Sequence, residues 1–166
     1  MKKIFYVSLF VLMLLAAVSP AFAMQCKAGN YGSDECWTEV RVSSGETTPV
    51  IPGTVLIYDF TGPGTGGPDA VSYQVRVSSA VTQGPRIAGV AQKVIATGDS
   101  GMVLVRGQGK VRLDAAAVAS GDNLFPSATA GTLRTDSGAG SRDRAYAIAL
   151  AVGAASTTAD AYIEIV

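Results

Sequence analysis

The chain has 166 residues, 13 basic and 13 acidic side chains in balance, no histidine, 19 glycines, 7 prolines and only 16% charged residues. Without a basic cluster the counterion-release term that drives nucleic-acid binding has no source, and without histidine the commonest general base and transition-metal ligand are both missing. Small and β-branched residues punctuated by Gly and Pro suit many short strands joined by tight turns, so the length and composition predict one all-β domain.

The N-terminus is read first. Lys2 and Lys3 precede an apolar run over 4–18, and Ala21-Phe22-Ala23 supplies an A-x-A cleavage site. This three-part pattern predicts a signal peptide over 1–23 and an exported, extracellular product. A transmembrane anchor would need roughly 20 apolar residues and a basic stop-transfer flank. A lipoprotein would need a small residue where Gln25 stands, and a start at Met24 is the remaining alternative. After cleavage no membrane partner is expected.

The exported part holds two cysteines, Cys26 and Cys36, closing a short loop. In an oxidising compartment they read as a disulfide, with two free thiols as the alternative. Residues 37–42 alternate apolar and polar as a half-buried strand does, and 43–46 break it. The Thr47-Thr48-Pro49-Val50-Ile51-Pro52 segment follows, its prolines enforcing an extended path. We therefore expect residues 24–53 to form a disulfide-stapled arm that reaches a neighbouring subunit through Trp37, Thr47, Thr48, Pro49 and Val50. The alternative is that 37–42 is simply the first strand of the main domain.

Residues 54–166 are expected to form that domain, a small β-barrel, β-clip or sandwich. Its strands are expected at 54–60, 71–77, 86–95, 102–106, 110–113, 146–152 and 161–166, which with 37–42 makes about eight. On 71–77, strict alternation puts Val71, Tyr73, Val75 and Val77 on one face. An imperfect repeat relates 86–91 followed by 101–105 to 144–149 followed by 162–166, the spacing shifting between its two words. It suggests two related hairpins facing each other across one core.

Several motifs look chemical without carrying chemistry. Gly98-Asp99-Ser100-Gly101 spells a serine-protease nucleophile, but no His exists to activate the Ser, and the tetrapeptide reads as a turn. Gly62, Gly64 and Gly67 fit a dinucleotide fingerprint that needs a following helix, whereas Pro68 and a strand follow. Arg106-Gly107-Gln108-Gly109-Lys110 lacks phosphate-loop spacing. Asp136 and Asp143 lack the alternating carboxylates of a calcium loop. Nothing selects a catalytic pair among Asp59, Asp69, Asp114, Asp122 and Glu164. No catalytic residue, cofactor or metal site is expected, and the chain reads as a non-enzyme.

The text over 86–111, with Ala-Thr-Gly-Asp-Ser-Gly-Met-Val-Leu-Val-Arg-Gly-Gln-Gly-Lys-Val at its centre, resembles the capsid decoration or cement proteins of tailed bacteriophages. The similarity continues through Ala119-Ser120-Gly121-Asp122-Asn123-Leu124-Phe125, Ala147 to Leu150 and Ala161 to Ile165, covering roughly 71–166. The resemblance implies a β-barrel or β-clip that docks on a repeating capsid lattice at the virion surface, often as trimers, and stabilises it without catalysis. A second expectation comes from the leader and the cysteines: an exported subunit that assembles with copies of itself into a filament or surface layer.

Overall fold

A computed structural model describes residues 24–27, 35–47, 49–59, 74–78, 87–135 and 145–165. The expectations for the signal peptide, Thr48, Val71 and Tyr73, the glycine fingerprint at Gly62, Gly64 and Gly67, and Asp69, Asp136 and Asp143 lie outside them. The described residues contain strands, turns and bridges and no helix. The strands are β1 (Gln25–Lys27), β2 (Glu35–Val42), β3 (Val55–Tyr58), β4 (Gln74–Val77), β5 (Ile87–Ala91), β6 (Ser100–Arg112), β7 (Asn123–Pro126), β8 (Leu133–Thr135), β9 (Ala147–Ala149) and β10 (Thr158–Glu164). They pair in the order β1-β2-β4-β3-β5-β6-β10-β9-β7-β8, with a further β2–β6 pairing.

All-β is therefore correct, and three details differ from the reading of the sequence. The strands expected at 102–106 and 110–113 are one continuous β6, because Gly107 and Gly109 do not break the ladder: they pair with Ile163 and Ala161 of β10. Gly109 is a close-approach position, since a Cβ there would stand 2.7 Å from Leu104 Cδ2. β7 and β8 were not anticipated. Pro126 ends β7, and a proline so placed hides a strand from pattern reading.

The third difference concerns the arm. β2 lies between β4 and β6, parallel to the first through Arg41↔Gln74 and Val42↔Val75, antiparallel to the second from Trp37↔Leu104 to Arg41↔Ser100. Val40, Val42 and Val50 are each 1% exposed and pack with Leu56, Val75, Ala91 and Val103. Residues 35–42 and Val50, expected in a separate arm, thus belong to the sheet and its core. Between the prolines at 49 and 52, Val50 makes an antiparallel bridge to Ile95. Outboard of β2 lies the exposed β1, joined by the Cys26–Cys36 disulfide at a Cα–Cα distance of 4.0 Å.

The pairings reveal a duplication. In the first repeat β3 pairs β4 (Leu56↔Val77, Ile57↔Arg76, Tyr58↔Val75); in the second β7 pairs β8 in the same register (Leu124↔Thr135, Phe125↔Arg134, Pro126↔Leu133). Val55↔Val90 and Leu56↔Gly89 in β3–β5 match Asn123↔Ile148 and Leu124↔Ala147 in β7–β9. The β2–β6 ladder, Trp37↔Leu104 to Arg41↔Ser100, matches Gln108↔Tyr162 to Arg112↔Thr158 in β6–β10. β6 is thus shared. Its first half closes one repeat and its second half opens the next, which is why it is long.

The connections match as well. Val50 and Ile95 exchange backbone hydrogen bonds of 3.0 and 2.9 Å, as Val118 and Gly153 do at 2.9 and 3.1 Å. Gly53 N–H donates to Ala91 O and Gly121 N–H to Ala149 O, both glycines at positive φ, 85° and 92°. That conformation is nearly free for Gly and strained for other residues, so each repeat keeps Gly at the turn entering its strand. The sequence had set 101–105 against 162–166; the registers instead set Gly101 against Ala159 and Val103 against Ala161. Around each repeat the pairing runs in a cycle. β2 touches both β4 and β6, and in the second repeat Leu113 at the end of β6 bridges Leu133 of β8 in parallel.

Matching positions also build matching cores. Val40, Val42, Val50, Leu56, Val75, Ala91 and Val103 fill the first repeat; Val111, Leu113, Val118, Leu124, Leu133, Ala149 and Ala161 fill the second. Leu56 and Leu124 are both fully buried, and burying such a side chain contributes roughly 1.5–3 kcal/mol.

Candidate interaction surfaces

The expected docking residues do not share one fate. Val50 is buried and cannot contact a partner, because its side chain is part of the first core. Thr47 and Pro49 are exposed on the loop after β2. Trp37 is half-buried, packed against the apolar cluster that the two repeats share. It also lines a cleft of 490 Å³ with Gln25, Lys93, Val94, Ile95, Gly101 and Met102. Val94 is 64% exposed and Met102 36%. The loop 92–99 places Val94 there, and the second repeat presents Val152 at the corresponding point of the loop 150–157, 79% exposed. The cleft has no full counterpart, because Gln108, Ala151 and Asp160 stand where the first repeat has Trp37, Lys93 and Met102.

Two of the carboxylates considered for chemistry, Asp114 and Asp122, hold local turns. Asp114 Oδ2 accepts from Ser127 Oγ at 2.7 Å and its Oδ1 from Ala116 N–H at 3.0 Å. Asp122 Oδ2 accepts from Ala119 N–H at 2.7 Å. Both are turn-stabilising contacts of the kind short acidic side chains favour. Ser100 is exposed and opens β6 opposite Arg41. Arg41 Nε donates to Gly98 O at 3.0 Å, fastening the preceding turn. The Lys110–Asp160 ion pair, 3.7 Å and well over half exposed on both sides, contributes little. Among the described residues no three His, Cys, Asp or Glu side chains form a metal-holding group, and no helix is long and apolar enough to cross a membrane.

Sequence reasoning missed the Arg76 and Arg134 pair, which occupy the same position in the two repeats opposite Ile57 and Phe125. Each leaves a buried Nε without a hydrogen-bond partner among the described residues. Also missed was the apolar stripe Ile148, Leu150 and Val152, respectively 43%, 44% and 79% exposed. The signal for the first was present: Val50, Gly53 and Leu56 share their spacing with Val118, Gly121 and Leu124, and aligning on these brings the repeats into view.

No family model and no curated protein matches the chain. Among solved structures a match exists. In fold, the chain is similar to the N base of head fiber gp8.5 of bacteriophage phi29. The TM-score is 0.50 at 16% identity, with 78% of this chain and 94% of that chain covered. At that identity the likeness is one of architecture, and it spans both repeats of the present chain.

Proposed function

We propose that the protein is a non-catalytic structural component of a phage head, a two-repeat β module that docks on the outer shell. The observation that carries this reading is the fold likeness to a head-fiber base over nearly that whole chain. It agrees with the resemblance of 71–166 to capsid decoration proteins at the level of a protein of the phage head. Each repeat acts as a small barrel-like unit whose closed pairing limits free strand edges, a property that suits a protein exposed on a particle surface. The cleft beside Trp37 is the first surface to consider for the shell, because an aromatic anchor flanked by exposed Val94 and Met102 is the kind of site that holds interface energy.

A second reading, an exported subunit that builds an extracellular filament or layer, is favoured by the Cys26–Cys36 bond, since disulfides persist in oxidising compartments. Immunogold electron microscopy of particles pelleted from the source culture, with antibody against the purified protein, separates the two. Gold on head shells supports docking; gold confined to head-free filaments or cell surfaces overturns it in favour of the second reading.

A further inference from the structure

The two repeats treat one corresponding face in opposite ways. In the first repeat the cross-strand row Trp37, Leu104, Val90 and Val55 runs over β2, β6, β5 and β3, with Ile57 beside it. This is the face away from Leu56 and Val103, and the second repeat covers it. Val55, Val90 and Leu104 are 1%, 2% and 0% exposed and form one cluster with Val111, Leu124 and Ile163. The matching row of the second repeat is Gln108, Tyr162, Ile148 and Asn123, with Phe125 beside it. Nothing buries this row comparably. Ile148 is 43% exposed, Asn123 is exposed, and Tyr162 and Phe125 are half-buried. Leu150 extends the same apolar stripe, where the first repeat has the amide of Gln92.

A strand face meant only for water would carry polar residues in alternation with the core. Here an aliphatic and two aromatic side chains remain at the positions that, one repeat earlier, form a buried contact. Aromatic side chains supply large contact area at low entropic cost.

We propose that the face formed by Ile148, Tyr162, Phe125 and Leu150 is an interface that a second copy of this chain covers, as the second repeat covers the matching face of the first. The occupant follows from the duplication. The face is the pseudosymmetric continuation of an interface already present within the chain, the unit that buries it there is a copy of the same unit, and another molecule brings two more. Such a contact joins unlike surfaces, so it closes into a ring or propagates as a filament. It holds whether the protein sits on a head or in an exported polymer.

The test is the mass of the purified protein in solution by size exclusion with light scattering. We expect the unaltered protein to be an oligomer. Ile148→Glu should weaken association at least tenfold and give the mass of one chain, and Thr97→Glu, in the exposed loop of the other repeat and outside the Trp37 cleft, should leave the oligomer intact. Circular dichroism and thermal unfolding verify that each variant is folded. If Ile148→Glu does not fold, Leu150→Glu, which puts a charge on the same exposed stripe, carries the same expectation. A monomeric unaltered protein, a folded Ile148→Glu or Leu150→Glu variant that associates normally, or dissociation caused equally by Thr97→Glu overturns the proposal.

Discussion

Replacing Gly101 by Ala tests whether the two cores are alternative solutions to one packing problem. In the first repeat residue 95 is Ile and residue 101 is Gly, and a Cβ on Gly101 would stand 2.6 Å from Ile95 Cδ1 and 2.7 Å from its Cγ1. In the second repeat both positions are small: Ala159 takes the place of Gly101, and Gly153 takes that of Ile95. A Cβ on Gly153 would lie 2.5 Å from Leu113 Cδ1 and 2.8 Å from Ala159 Cβ. Ile95 is 5% exposed and has little room to retreat. Gly101→Ala should therefore cost about 1–3 kcal/mol, the range for overpacking a filled core. Ile95→Ala alone leaves a cavity and should cost about 2–5 kcal/mol. In the double variant the new methyl enters the space the isoleucine vacates, reproducing the small–small arrangement of the second repeat. The double-variant cycle should then show a favourable coupling of at least about 1 kcal/mol, within the range for residues in contact. Urea titration of the four proteins followed by circular dichroism measures it. Strict additivity would refute the room taken by Ile95 as the reason for Gly101.

Three further outcomes are expected. Gly53→Ala should be more damaging than Gly121→Ala: both glycines sit at positive φ, which costs other residues about 1–2 kcal/mol, but only at Gly53 would the Cβ also meet backbone, Arg112 N at 2.9 Å. Equal unfolding midpoints would contradict this. Deleting residues 24–50 should unfold the protein, because it removes β2 together with Val40, Val42 and Val50. At roughly 1.5–3 kcal/mol per buried valine the loss rivals the whole stability of an ordinary domain, and a soluble, cooperatively folding product would restore the arm. Reducing Cys26–Cys36 should lower stability by up to about 3 kcal/mol in the chain-entropy model, read as a lower urea midpoint with reductant present; an unchanged midpoint would show that the staple constrains nothing.

The sequence by itself determined the class of the fold. Composition and period-2 alternation located β2, β3, β5, β9 and most of β6, since each carries enough β-branched or small apolar residues to declare a buried face. The cysteine pair was legible because ten residues of separation leave two thiols few other partners. The absence of histidine is a property of composition, independent of any fold. Pairing across distance was not legible. Gly107 and Gly109 look like breakers locally, and only β10 lying alongside makes β6 one strand. Val50, between two prolines, looks excluded from a sheet until Ile95 is seen opposite it. The repeats share few identities because packing selects fit among neighbours more than residue identity, so the pairs Ile95 with Gly101 and Gly153 with Ala159 are seen to correspond only where their partners are known. For the same reason Val90 and Ile148 read alike along the chain. Tertiary structure alone decides that one is covered by the next repeat and the other faces outward, because burial belongs to the contact between units and not to either strand.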